Sequence, residues 1–195
     1  MTRIGRPRSF DDAQVVDQAK EIFWRRGYAG TSMRELKGEL GVLPGSLYGA
    51  FGDKHALFLR ALDRYAEQAG EAAAALQPSG PGLASVRQLL TDAVDAARST
   101  PGRGCMLGNT AMEVLPDDEE AGQIVRRALG ELESGIERAL VDAQRAGEIR
   151  DDVDCGAYAR VLLALLQGLH VIARAEREPH RLGDAIDAAL AAITT

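Results

Sequence analysis

The sequence predicts an all-α protein, and three observations carry that prediction. Apolar residues recur at three- and four-residue spacing through most of its 195 positions. No stretch alternates polar and apolar with the period of two that a strand requires. Breaks fall at Gly27-Tyr28-Ala29-Gly30, at Pro78-Ser79-Gly80-Pro81-Gly82, at Pro101-Gly102 and at Pro116, dividing the chain into helical segments.

The first segment, 10–27, carries Val16, Ala19, Ile22 and Phe23 on one side. The next stretch, TSMRELKGELGVLPGSLYGAF at 31–51, reads as two short helices joined by a tight turn. Thr31 and Ser32 stand at the N-cap, with Glu35 placed to return a capping-box bond. Met33, Leu36 and Leu40 form the apolar stripe. Gly41 stops the helix, because a left-handed C′ position favours glycine. Val42 plugs the turn, and Pro44 occupies a first helical turn, where proline is tolerated. Leu47 and Phe51, four apart, face the same core. Gly45, Ser46, Tyr48 and Gly49 are left outward, and small or hydroxylated groups on an exposed helix suit insertion into a DNA major groove. The same pattern also fits a plain corner between two helices.

Asp53 then caps a long helix bearing Leu57, Phe58, Ala61, Leu62 and Tyr65 and running toward Leu76. Further helices are expected at about 83–99, 103–115 and 117–147. A strongly apolar one spans 153–176, and a last one runs from Glu178-Pro179 to about 193.

The net charge of −6 argues against a general nucleic-acid binder, but its distribution does not. Residues 1–60 hold ten Lys/Arg against seven Asp/Glu, a balance of +3, so the remainder carries −9. A basic head on an acidic body is the asymmetry expected when one end alone meets phosphate. Arg3, Arg6 and Arg8 make a basic arm, either a minor-groove contact or a solvated terminus.

Two cysteines, Cys105 and Cys155, supply neither a disulfide framework nor metal-ligand spacing, and no cofactor or metal is expected. Ser46 lacks the G-x-S-x-G elbow and the preceding strand of a hydrolase. Phosphate-binding loops and HExxH motifs do not occur, so no catalytic residues are assigned. The longest unbroken apolar run, 161–166, is too short to span a bilayer, and no signal peptide is visible. The expected location is the cytoplasm, without a membrane partner.

The stretch FWRRGYAGTSMRELKGELGVLPGSLYGAFGDKHALF resembles the DNA-binding domain of the TetR/AcrR family of bacterial transcriptional repressors. The matching marks are Gly27-Tyr28, Thr31, Leu36, Gly41-Val42, Gly45-Ser46-Leu47-Tyr48, Phe51, Lys54 and Leu57. RGCMLGNTAMEV at 103–114 is similar to the start of the regulatory domain in one branch of that family. The resemblance implies a homeodomain-like three-helix head at 1–60, with its helix-turn-helix at about 29–48. An effector-binding and dimerisation body would occupy 61–195. It implies a homodimeric repressor of double-stranded operator DNA, released by a small molecule or an electrophile. The alternatives are an activator, an unregulated DNA-binding protein or a helical interaction module.

Carried onto this sequence, the resemblance assigns Tyr48 and Lys54 to phosphates. Thr31 joins them through its hydroxyl and the free N–H groups of a helix start. Base discrimination is expected from Ser46, from Leu43 and Pro44 packing near thymine methyls, from Arg34, and from the close approach allowed by Gly45. Three departures stand out: Lys37 where a small residue is usual, Gly38 within a helix, and Leu43 where Ser or Asn commonly caps.

Effector candidates in the body are Met106, Asn109, Met112, Glu113, Tyr158 and His170. Methionine and a lone histidine on apolar helices fit a core equally well. Cys105, at a helix start beside Arg103, is either a thiol switch or a small buried hydrophobe; Cys155 reads as structural. Val161, Leu162, Leu165, Leu166 and Leu169 with Gly168 form one broad apolar face, and Ala185, Ile186, Ala188, Ala189, Ala192 and Ile193 another. Two copies of each would close a four-helix dimer interface, unless these faces are the protomer's own core.

Overall fold

The computed structural model describes residues 11–76, 82–100, 103–176, 178 and 180–194, and the regular elements among them are all α-helices. The helices are α1 (Asp12–Arg26), α2 (Met33–Leu40), α3 (Pro44–Phe51), α4 (Lys54–Ala75), α5 (Gly82–Ser99), α6 (Met106–Val114), α7 (Glu119–Arg145), α8 (Cys155–Ile172) and α9 (His180–Ala191). An isolated bridge between Ile149 and Thr194 is the sole β pairing among the described residues.

Local chemistry sets the ends of these helices. Asp11, Asp53, Asp118 and Asp154 each accept a bond from the first turn they precede. Ser32, not Thr31, is the N-cap of α2, and it forms the full capping box with Glu35. Gly41 ends α2 at φ 63°, a left-handed conformation that glycine adopts without a Cβ penalty. Leu43 precedes α3 and makes no side-chain cap, while Pro44 fills the first turn.

Two apolar clusters hold the chain together. The first joins α1–α4 to the start of α6 and the first half of α7: Phe23, Leu36, Leu47, Leu57 and Phe58 share it with Leu107 and Val125. The helix-turn-helix therefore does not rest on a core of its own, and the long α4 packs against both α1 and α7. The second cluster joins α5, the later half of α7, α8 and α9 through Leu90, Ile136, Leu140, Leu162, Leu166 and Leu190. The α4–α7 crossing is tight at Gly135, where an added Cβ would lie 2.7 Å from the Ala73 carbonyl oxygen.

By length and composition α8 is apolar enough to cross a membrane, a property that the short 161–166 run did not indicate. One of its faces packs on α5 and α7.

Candidate nucleic-acid interface and effector cavity

The helix-turn-helix presents an unusual outer face. Leu47 and Phe51 are buried, as their spacing requires, and Gly45, Tyr48 and Gly49 are exposed, with Ser46 half-buried. Leu43, at the start of α3, is 75% exposed. A Cβ added at Gly45 or Gly49 would meet nothing within 4 Å, so packing inside this protein does not demand glycine there. Each exposed helical glycine costs roughly 1 kcal/mol relative to alanine. On α2, Arg34 and Gly38 are exposed, and Lys37 turns outward with its ammonium 4.7 Å from the centre of the Tyr48 ring.

Two expected phosphate contacts look different in three dimensions. Thr31 is only 1% exposed, and its hydroxyl donates to the Gly27 carbonyl at 2.7 Å, so it is not free for a phosphate. The turn before α2 folds back on α1 and encloses that side chain. Lys54 donates to the Tyr28 carbonyl at 3.0 Å and lies 4.0 Å from the centre of the Tyr28 ring. Arg3, Arg6 and Arg8 lie outside the described residues, as does the side chain of Pro44.

The head is tied to the body at one seam. Both carboxylate oxygens of Glu113 accept backbone bonds, from Tyr28 N–H at 2.9 Å and from Ala29 N–H at 2.8 Å. Gly27, at φ 77°, makes room for this: a Cβ there would sit 2.8 Å from Glu113 Oε2. Trp24 Nε1 donates to the Gly104 carbonyl at 2.9 Å, Arg103 pairs with Glu21 at 2.5 Å, and His55 Nε2 lies 2.8 Å from Asp118 Oδ2. Burial pushes the Asp118 carboxyl up, but the Ala121 N–H and His55 outweigh it and leave the group below its ordinary value.

Beside the seam lies a cavity of about 840 Å³ between the end of α1, α6 and α8. Five of the candidate effector residues line it: Cys105, Asn109, Met112, Glu113 and His170. Two candidates do not. Met106 is buried in the first core cluster. Tyr158 lies at the other end of α8, where its hydroxyl donates to the Ala189 carbonyl at 2.5 Å. The cavity adds Trp24, Gln167, Val171 and Arg174, which the sequence reading missed. The spacing of Gln167, His170, Val171 and Arg174 is that of one helix face, a signal that could have found three of them from His170. Trp24 belongs to the head and carried no comparable signal.

Cys105 is the N-cap residue of α6, as placed from sequence, and is 6% exposed. The guanidinium of Arg103, which the sequence placed beside this thiol, is held by Glu21 and lies over the Trp24 ring. The neighbour of Cys105 Sγ is the Tyr65 hydroxyl at 3.9 Å; burial first, and then Cys105, raise that hydroxyl well above the ordinary tyrosine value. Burial lowers the His170 imidazole below its usual range, so it is neutral at pH 7. Cys155 is buried at the start of α8.

The expected pairing faces need correction. Leu162, Leu166, Leu169, Ile186 and Ile193 are buried inside the protomer, and Leu165, Gly168 and Ala189 are half-buried. The face that α8 turns outward keeps Val161, Leu165 and Gly168 of the expected set and adds Ala157, Ala164 and Ile172, with Val161 53% exposed. An almost uniformly apolar helix carries no phase information, so its inner face could not be read from spacing.

A compact helix-turn-helix with a bare outer helix is fixed by a hydrogen-bonded seam to a helical body, with an open cavity beside that seam, and this architecture defines a DNA-binding regulator. Sequence relationships agree. The family described as "Bacterial regulatory proteins, tetR family" matches residues 15–61, and "Tetracyclin repressor-like, C-terminal domain" matches residues 82–189. The chain is 33% identical to the uncharacterized HTH-type transcriptional regulator YezE of Bacillus subtilis, over 97% of this chain and 100% of that one. It is 30% identical to the HTH-type transcriptional repressor ComR of Escherichia coli, over 87% and 82% of the two chains. Among solved structures, a cysteine mutant of the TetR family regulator CifR, complexed with 26-bp double-strand operator DNA, superposes with a TM-score of 0.82 at 30% identity. That match covers 97% of this chain and 100% of CifR. The chain therefore belongs to the TetR family of transcriptional regulators.

Proposed function

We propose that this regulator is a cytoplasmic homodimeric repressor that grips operator DNA through α3 and lets go when a small molecule fills the cavity beside Glu113. The observation that carries the DNA reading is the outer face of α3. Gly45 and Gly49 weaken the helix and serve no internal contact, so their value lies in what approaches from outside. Ser46 reads bases, Leu43 packs near thymine methyls, and Arg34 and Tyr48 reach the flanks. CifR, 30% identical over 97% of this chain, forms a complex with 26-bp double-strand operator DNA, which supports the DNA reading.

Pairing follows from α8. Positions 157, 161, 164, 168 and 172 recur at the spacing of a helix-packing seam, and they are exposed or half-buried in the single chain. Gly168 leaves open space where a partner helix can come close. Exposed Ala188 and Ala192 of the neighbouring C-terminal segment extend the face. Covering such a stripe with a second copy removes apolar surface from water and sets two heads about one helical turn of DNA apart, roughly 34 Å.

Release would run through Glu113. The same side chain borders the cavity and holds the turn between α1 and α2, so a ligand that shifts α6 shifts the head. Cys105 Sγ on the cavity wall offers a second trigger: a quinone that enters would add there, the S–C bond forming as the quinone C=C π bond opens and the thiol proton passing to the quinone oxygen. The domain division at about residue 60 then marks where the shared α4 passes from head to body.

The test is a selection of bound duplexes from random DNA, followed by sedimentation of the free protein. A dimer that enriches a palindromic site supports the reading. A monomer with no sequence preference refutes it. Cys105→Ser that still responds to quinones as the parent does removes the thiol trigger alone.

A further inference from the structure

We infer that the cavity between α6 and α8 receives an apolar acid, a small molecule with one carboxylate and a hydrocarbon body. This rests on the reading of that cavity as the effector site. Gln167, His170, Val171 and Arg174 line the cavity from one face of α8. Gln167 Nε2 and His170 Nδ1 are buried, and neither has a hydrogen-bond partner. Buried polar groups left unpaired are rare because each forfeits its hydration. Two of them three residues apart, on one cavity wall, mark where a ligand's oxygen atoms belong.

Charge selects the kind of oxygen. Arg25 and Arg26 are each 2.6 Å from a Glu39 carboxylate oxygen. Glu113 is held by the Tyr28 and Ala29 amides. Arg174, exposed at the cavity edge, has only a 3.4 Å contact with Asn109 Oδ1, and no carboxylate lies within ion-pair distance of it among the described residues. The α8 face thus presents an amide donor, a neutral imidazole with an unpaired Nδ1, and an unbalanced guanidinium. A carboxylate accepts from all three, and guanidinium matches its planar geometry. A neutral carbonyl would leave the guanidinium unanswered, and a cation would be repelled by it. Trp24, Leu129, Met112 and Val171 supply apolar wall for the hydrocarbon.

The single tryptophan of the chain, Trp24, lies on the cavity and reports its occupancy through fluorescence. Full-length protein is titrated with n-alkanoates from butanoate to dodecanoate and with the matched primary amides, and each ligand is then added to the operator complex. The expected result is saturable acid binding about tenfold or more tighter than the best amide, a ratio of about 1.4 kcal/mol. Arg174→Met should erase most of that preference. Gln167→Met and His170→Leu should weaken acid binding several-fold while leaving the unliganded protein as thermally stable as before, or more so, because they delete unpaired groups. Amides that bind as well as acids, or a complete lack of binding by the acids, would overturn the inference. Acids that bind with the expected preference yet leave the operator complex intact uphold it and refute the release mechanism. Amides that release DNA without any acid preference do the reverse.

Discussion

Two exposed helix surfaces of this protein depart from the ordinary charged exterior in opposite ways. The outer face of α3 has almost no side chains, with Gly45, Ser46 and Gly49 beside the Tyr48 ring. The outer face of α8 carries uncovered hydrocarbon: Val161, Leu165 and Ile172. The first allows a surface to come close without adding apolar attraction, so affinity must come from polar and phosphate contacts around it. The second gains by being covered, and an apolar stripe of that kind marks an interface between proteins. If α3 enters DNA and α8 pairs two copies as proposed, one chain separates the two tasks, and a substitution on either face should affect the two properties unequally.

The largest effect is expected at α8. Val161→Asp places a charge on the stripe without touching the protomer core, and a two-fold axis would set it near its own copy. Sedimentation should show a monomer, and fluorescence anisotropy should show operator affinity reduced by about two orders of magnitude, since a single head gives up paired half-sites. A persistent dimer would mean that the stripe is covered by something else.

Gly49→Leu should separate the faces from the other side. Leucine is the better helix former by about 0.8 kcal/mol, and its side chain enters open space, so the melting temperature should hold or rise. Operator affinity should still fall by about 2 kcal/mol, the scale of overpacking a fitted contact. An unchanged affinity would remove α3 from the groove.

Glu113→Gln probes the seam that lets one region influence the other. It keeps the shape and removes the charge that strengthens two backbone bonds, so a loss of about 1 kcal/mol is expected, with faster hydrogen exchange at the Tyr28 and Ala29 amides. Exchange confined to a distant element would show that the seam carries no load between head and body.

The smallest effect concerns pH. The folded carboxyl of Asp118 lies below its ordinary 3.8, so its contribution is complete above 3.8 and is lost as pH falls through the lower folded value. Asp118→Asn can still cap α7 but loses the charge facing His55. Its melting temperature should therefore drop less steeply than the parent's in acid, which calorimetry below pH 4 would detect.

Features carried by neighbouring residues were legible before any coordinates. Ser32 and Glu35 write a capping box four residues long, Gly41 writes a helix stop, and Leu47 with Phe51 writes the buried side of α3, hence also its outer side. The cavity residues were half legible. Cys105, Asn109, Met112 and Glu113 follow one another along a single helix, whereas Trp24 enters the cavity from the head.

Thus the sequence alone determined the order of the helices, their ends, and the bare face of α3, because each depends on hydrogen bonds and spacing within a few residues. Only the tertiary structure decided which apolar residues of α8 face inward. Leu162, Leu166 and Leu169 were chosen over Val161, Leu165 and Ile172 by packing against α5 and α7, and a helix apolar on every side has no phase of its own. It also decided that Glu113 holds amides some 85 positions away and that Gln167 and His170 share one cavity wall. Partners that distant meet through the packing of whole helices, which local patterning does not encode.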